Sequence, residues 1–554
     1  MKRLVSIISA VLLLLSAASC AGDGESAANG NGTANAPTQE DIEAIKRELA
    51  GGIAGEITVS CYDSVMTRGF LEDAVALFEE KYPGTKINLE SYSEMPEIRT
   101  DGQTTAIRMT DDDSQKKEEY ITETNTRLMG GRGADVFAVD VLPFYKYAEA
   151  GQFENLRVYM GADEGFDIAD YRQNIIEASA YKNGLYIFPI AYSFNYIAFD
   201  GSLFGEEEQA LILADDEYTF QELIGLGLAA FDRSGGARMF GLPPNRMFAS
   251  MFEQDYGRYV DIEKRTANFN DGQFAELLKT VMEYSENGYI SEAVRRPTDG
   301  SMPSMNGFVR TENEQYLFKS KSIMQLLQTM NTTATFGVRM YSSGTGNEDN
   351  DEIAGFITGS GGEKKYEFTQ AYAINSNSGN KALAWEFVKF LAGEEMQTSS
   401  MRIMGLPVNR KALEERTKQQ ITGELFLNAA PMMPGGPGGG MPVGAQPDGR
   451  TEGQSRPQQK SEPGVKEPDD ERQRDIQEFL DGISSEMDAE QQAVYDEYLR
   501  IVNTLSNKVN TYLVKDTIIE NIIDTEVNAF FEGTKTADEA AAALQNKVQL
   551  YLDE

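Results

Sequence analysis

Tyr62-Asp63, Tyr92, Asp140 and the run from Tyr192 to Asn195 are the residues of this chain whose types and positions suit them to chemistry. Each falls where an apolar, strand-forming run ends, or at a bend between two such runs. In open α/β sheets, ligands bind beyond the carboxyl ends of strands. A tyrosine offers an apolar ring face and a hydroxyl. Asp and Asn add hydrogen-bond acceptors and donors. Together they suit a polar, uncharged polyol better than a metal ion or a phosphate. Structural alternatives stand beside these roles. Tyr92 also fits as a cap on a core, and Asp135 fits better as the anchor of a loop.

Other chemistry is excluded by what the chain lacks. There is no histidine among its 554 residues. That removes Ser-His-Asp and Cys-His catalysis, His-ligated zinc and His-held haem. Only two cysteines occur, Cys20 and Cys61, too few for a disulfide framework or a Cys-based metal site. Cys61 lies in the apolar run Ile57 to Tyr62 and reads as a small core residue. The acidic runs at 111–113 and 348–352 lack the spaced ligands, central Gly and final Glu of a calcium loop. The glycines from Gly435 to Gly440 lack the Gly-Lys-Ser/Thr of a phosphate loop. No metal and no cofactor are therefore expected. The net charge of -38 repels nucleic acid and anionic headgroups.

The first twenty residues read as an export signal. Lys2 and Arg3 precede a short apolar stretch from Leu4 to Leu15, and Ala17-Ala18-Ser19-Cys20 follow. The stretch is too short for a stable membrane span. A cysteine at the cleavage point resembles the lipobox of bacterial lipoproteins, in which that thiol becomes diacylated. Cys20 is thus the expected lipidation site, with the protein held at the outer face of the cell membrane. Residues 21–54 read as a tether, Gly-, Ala-, Asn- and Ser-rich at first, with a short helix from Glu40 to Ala50.

These residues need elements to hold them. The alternation of Ile57, Val59 and Cys61 predicts a strand over Glu56 to Tyr62. Phe70, Leu71, Ala74, Leu77 and Phe78 recur at helical spacing over Gly69 to Tyr82, and Pro83-Gly84 ends that helix. A second strand follows from Lys86 to Tyr92, completing a β-α-β unit with a parallel pair. Ala134 to Val141 reads as a buried strand. Tyr186 to Phe199 reads as two strands meeting at a bend, because Pro189 argues against one uninterrupted central strand. Further strands are expected at Ser320 to Leu327 and Phe368 to Asn375. Helices are expected at Phe220 to Phe231, Asp271 to Asn287, Ser378 to Ala392 and Thr536 to Leu552. Residues 430–470, rich in Gly, Pro and Gln, have almost nothing to bury and read as a disordered insert.

Four stretches, in order and spacing, resemble the maltose-binding-protein type (family 1) of extracellular solute-binding proteins of ABC importers. They are Ile57 to Leu89 with Leu77-Phe78-Glu79-Glu80-Lys81-Tyr82-Pro83-Gly84, Gly133-Ala134-Asp135-Val136-Phe137, Gly184 to Ala191 with Tyr196 to Asp200, and Ala373 to Leu391 with Gly405-Leu406-Pro407-Val408-Asn409. Gly533 to Ala540 matches the family's usual last helix. The resemblance implies an α/β, two-lobe periplasmic-binding-protein-like fold of type II, with extra C-terminal helices. Lobe 1 would comprise 55–190 and 372–408, and lobe 2 would comprise 191–371 and 409–554. The chain would cross near Pro189 to Tyr192, near Gln370 to Ala373 and after Pro407.

By the same resemblance, Gln328 would reach the ligand from the second lobe. The protein would be a non-enzymatic monomer that captures a small solute, a sugar or oligosaccharide, by hinge closure. It would hand that solute to the transmembrane subunits of an ABC permease. One departure bears on the sugar. Family members often stack it on Trp, and the single tryptophan here, Trp385, sits on a helix where core packing is the expected role. A carboxylate glycosidase on the surface remains an alternative, although 88 acidic residues single out no acid and nucleophile pair. A ligand-sensing or adhesive lipoprotein is a further one.

Overall fold

The structure is a computed structural model that describes residues 38–62, 65–92, 98–100, 105–107, 113–291, 315–330, 351–400, 402–424, 486–514 and 516–554. The expected signal and lipidation site at Cys20, the start of the expected tether, Asp63 and the expected insert at 430–470 lie outside these residues.

A helix, Gln39–Ala50, precedes β1 (Gly55–Tyr62). The helix Val65–Lys81 leads to β2 (Thr85–Tyr92), which pairs with β1 in parallel from Gly55↔Thr85 to Tyr62↔Tyr92. The β-α-β unit expected from the periodicity is therefore present. Its helix buries Phe70, Leu71, Ala74 and Phe78 completely. Each large apolar side chain removed from water in this way stabilises the packing by roughly 1.5–3 kcal/mol. The alternation of β1 sends Ile57, Val59 and Cys61 into this core and Tyr62 into a smaller core on the opposite face of the sheet.

After the small hairpin β3 (Ile98–Thr100) and β4 (Thr105–Ile107), the helix Asp113–Met129 leads to β5 (Val136–Ala138). That strand pairs in parallel with the other side of β1. β6 (Phe188–Ser193) and β7 (Asn195–Asp200) follow each other closely but belong to different sheets. The second sheet takes β7, β8 (Glu217–Tyr218), β9 (Arg238–Phe240), β12 (Tyr316–Ser322) and β13 (Asp351–Ile357). A short ladder of β10 (Val260–Asp261) and β11 (Thr266–Ala267) stands apart. β14 (Lys365–Ile374), β15 (Leu406–Pro407) and β16 (Thr511–Tyr512) return to the first sheet. Its order is β15-β6-β14-β5-β1-β2, with β16 beside β14. The second sheet has the order β8-β13-β7-β12-β9. The architecture is two α/β lobes, as the resemblance implies.

Three details differ from the expectation. The bend in Tyr186 to Phe199 falls at Phe194, and Pro189 lies inside β6. Proline is tolerated there because β15 pairs only with Ala191 and Tyr192, and the β14 ladder is irregular between Gln370 and Ala371. The strand expected at Ser320 to Leu327 ends at Ser322. There Ser322 and Gln325 form a capping box that starts a helical turn, so Gln328 stands on the helix Leu326–Met330. The crossings also shift. They fall at Phe194, between Ile357 and Lys365, and after Tyr512.

The last crossing comes about a hundred residues later than Pro407. The helices Arg410–Thr422 and Ala489–Ser506 bury Leu413, Ile421, Tyr498 and Val502 in the first core. Only the helices Thr517–Phe531 and Ala537–Asp553 join the second core, through Ile519, Ile523, Leu544 and Val548.

Candidate functional site

The parallel strands β1, β2 and β5 end at one edge of the first sheet. β6 runs the same way, because it is antiparallel to β14 and β14 is antiparallel to β5. The residues at or just beyond these ends, Tyr62, Tyr92, Asp140 and Ser193, therefore share one edge. The chain leaves this edge for the second sheet at Phe194.

Tyr62 and Tyr92 are register partners, and both rings meet Tyr120, at 5.9 and 5.3 Å between centroids. Tyr120 comes from the helix Asp113–Met129 and shares a hydrogen bond of 3.1 Å with Ser60 Oγ. Tyr62 is buried and Tyr92 is half-buried. Burial, then the charges of Glu119 and Glu123, raise the Tyr92 hydroxyl above its ordinary value, so it remains a neutral donor.

Asp140 sits past the end of β5. It accepts hydrogen bonds from Thr67 Oγ1 at 2.9 Å and from the backbone N–H of Ala371. The residue is exposed at the surface, yet protein crowds its carboxyl enough to desolvate the charge in part. That burial outweighs both hydrogen bonds and pushes its pKa up to about 6.

Asn195 opens β7, is exposed, and lines a cavity of about 190 Å³ together with Ser193, Phe220, Ser250, Gln254 and Glu367. The side-chain oxygen of Gln254 is buried there without a hydrogen-bond partner. An orphan acceptor on a cavity wall is a position for a ligand hydroxyl or N–H. The volume is below the roughly 300–1,000 Å³ typical of drug-sized ligand pockets.

Tyr192, expected to contact ligand, is a core residue instead. It is fully buried, and its hydroxyl donates to Ser506 Oγ at 2.9 Å. β6 is flanked by β14 and β15, and the helix Ala489–Ser506 packs over it. Trp385 is likewise fully buried, and its Nε1 donates to Asp163 at 2.9 Å. Asp135 accepts from Thr58 N and from Ser378 Oγ, which ties the loop as the sequence suggests. Asp63 and the Gln328 side chain lie outside the described residues. Thr67, Tyr120 and Gln254 escaped the sequence reading. The aromatic within the charged 113–129 helix was the one available signal among them.

The two lobes touch beyond this edge. Asn521 Nδ2 donates to Glu118 at 3.0 Å, Arg265 meets Glu149 at 2.8 Å, and Asp516 accepts from both Tyr145 and Tyr551. Burial opposes the charge on Glu149, but hydrogen bonds from Lys182, Tyr181 and Arg265 outweigh it and hold the carboxyl down at about 2. Among the described residues, no group of three His, Cys, Asp or Glu is placed to hold a metal ion, and no helix is long and apolar enough to cross a membrane.

Residues 63–398 match the family model described as bacterial extracellular solute-binding protein. Among solved structures, it is similar to a family 1 extracellular solute-binding protein from Alicyclobacillus acidocaldarius, with TM-score 0.50 and 13% identity. That match covers 91% of this chain and 100% of the other. A periplasmic oligogalacturonide binding protein from Yersinia enterocolitica gives TM-score 0.50 and 12% identity, covering 90% and 99%. A de novo designed cysteine esterase gives TM-score 0.50 and 12% identity, covering 91% and 99%. At these identities the structural likenesses concern the fold alone. No curated protein matches the chain by sequence. The family match spans more than half of the chain, so this protein belongs to the bacterial extracellular solute-binding protein family.

Proposed function

We propose that the protein is a non-enzymatic receptor that captures a sugar or oligosaccharide between its lobes and delivers it to an ABC import permease. A lipid on Cys20 would hold it at the outer face of the membrane. The observation that carries this reading is the shared edge, where Tyr62, Tyr92 and Asp140 stand at or just past the ends of adjacent strands. Tyrosine faces and a carboxylate suit a ligand that is apolar on one side and rich in hydroxyls on the other. The oligogalacturonide-binding neighbour is a protein of this fold with an oligosaccharide ligand.

The mechanism is closure. A ligand touching both lobes favours the closed state by its differential affinity, and the permease reads that state. Expulsion of water strengthens the hydrogen bonds inside. Two acyl chains anchor a protein stably where one holds only marginally, which fits a diacylated cysteine.

The test is a thermal-shift screen of the chain from Ala21 onward against sugars, amino acids and polyamines. A ligand of the folded state raises the melting temperature. The expected result is a rise with a saccharide. A rise with another class alone overturns the sugar assignment. For the anchor, Cys20→Ser abolishes incorporation of labelled palmitate in the producing bacterium; retained label contradicts it.

A further inference from the structure

A second cavity, of about 480 Å³, lies between the lobes. It meets the first at Lys365 and Leu513 and is otherwise lined by different residues. Phe144, Tyr145 and Tyr181 come from the first lobe, Tyr256 from the second, and Tyr512 from the strand that connects them. Phe144 stands at the centre of an aromatic cluster. Its ring lies 6.3 Å from Tyr145 and 6.4 Å from Tyr181, nearly perpendicular to both, and 6.2 Å from Tyr512. The rings pack on one another along the cavity wall, and the Lys182 ammonium lies 5.3 Å from the Tyr181 ring.

The charged residues on the wall are three carboxylates, Asp261, Glu263 and Glu363, and one ammonium, Lys365. The Lys365 ammonium donates to the carbonyls of Glu253 and Gln254, at 2.7 and 2.6 Å, and pairs with Glu363 at 3.7 Å. Asp261 is paired with Lys264, the Tyr181 hydroxyl donates to Glu149 at 2.6 Å, and Glu263 is exposed. The wall is net negative in a molecule of charge -38. A buried polar atom completes the site. The Tyr256 hydroxyl has no partner, and the residue is 8% exposed.

We propose that this second cavity binds a small organic cation with a methylated ammonium head and a short hydroxylated arm. Aromatic faces attract such a head through their quadrupoles, and a methylated ammonium sheds water more readily than a bare one. The carboxylates set the sign of the ligand. The orphan Tyr256 hydroxyl pairs with the hydroxyl of its arm. Because both lobes and the connecting strand build the wall, binding is linked to the relative position of the lobes seen here. The inference does not rest on the sugar reading, since it uses none of the residues at the strand ends.

The test is calorimetric titration of the full chain, purified in detergent, with choline chloride. The uncharged isostere 3,3-dimethyl-1-butanol is titrated in parallel at matched ionic strength. We expect saturable binding of choline and none of the isostere. Glu263→Gln and Tyr181→Leu each weaken choline binding about tenfold, the scale of one lost cation–aromatic or charge contact. Asp140→Asn leaves it unchanged. Equal binding of the isostere overturns the cation assignment, and absence of binding overturns the site. Loss of choline binding in Asp140→Asn but not in Glu263→Gln places the ligand at the strand ends and overturns the second cavity.

Discussion

Asp140 is the strand-end residue proposed to hold a ligand hydroxyl. Its carboxyl titrates near 6 in the folded chain against an ordinary 3.8. A raised acid holds its proton in the folded state after the unfolded chain has released it. Its contribution to stability therefore falls as pH rises from about 4 to about 6, then stays level. Asp140→Asn removes that penalty and stabilises the ligand-free protein at pH 7 by about 1 kcal/mol, a discounted figure because solvent reaches the group. The same variant weakens sugar binding. In the unmodified protein, affinity declines as pH drops below about 6. Urea denaturation and titrations at pH 5 and pH 7.5 check both; an unstabilised variant of full affinity contradicts the assignment.

The tyrosines divide in the same way. Tyr192→Phe orphans Ser506 Oγ in the core and costs about 1 kcal/mol of stability with affinity intact. Tyr92→Ala lowers affinity and leaves the midpoint of denaturation nearly unchanged. The sequence reading placed both at strand ends, which was legible from alternation. Their difference was not, because the helix that covers Tyr192 begins almost three hundred residues later, beyond the Gly/Pro insert.

At the scale of elements, the β-α-β unit was readable because its period and its Pro-Gly stop agree with its packing. The strand before Gln328 was overextended because the Ser322-x-x-Gln325 cap lies inside an apolar run. The crossing after Pro407 was misplaced because nothing local distinguishes a helix packed on the first core from one packed on the second. β13 carries its own constraint. Gly355 stands at an irregularity of the β7 ladder with φ +144°, and a Cβ there would meet the Asp216 carbonyl oxygen at 2.2 Å. Backbone cannot yield as a side-chain tip does. Gly355→Ala destabilises the protein by about 3 kcal/mol, measured by chemical denaturation. A change under about 0.5 kcal/mol would show that the strand is free to shift.

For the whole molecule, apolar contacts, such as those of Leu326 and Leu327 in the first core, join the lobes alongside polar ones outside the strand-end site. Arg265 and Glu149 are one such pair, with Arg265 half exposed, so the pair is worth about 0.5–1 kcal/mol. That is enough to shift an open–closed balance several-fold. Arg265→Ala increases the radius of gyration of the ligand-free protein in small-angle scattering and is reversed by saturating ligand. An unchanged radius would mean the pair does not tune closure.

Capture of a sugar without turnover is decided by calorimetric titration of oligosaccharides into the chain from Ala21 onward. The expected result is a saturable heat with one site per chain that returns to baseline after every injection. A sustained heat, the mark of turnover, or no binding of any mono- or oligosaccharide would contradict it.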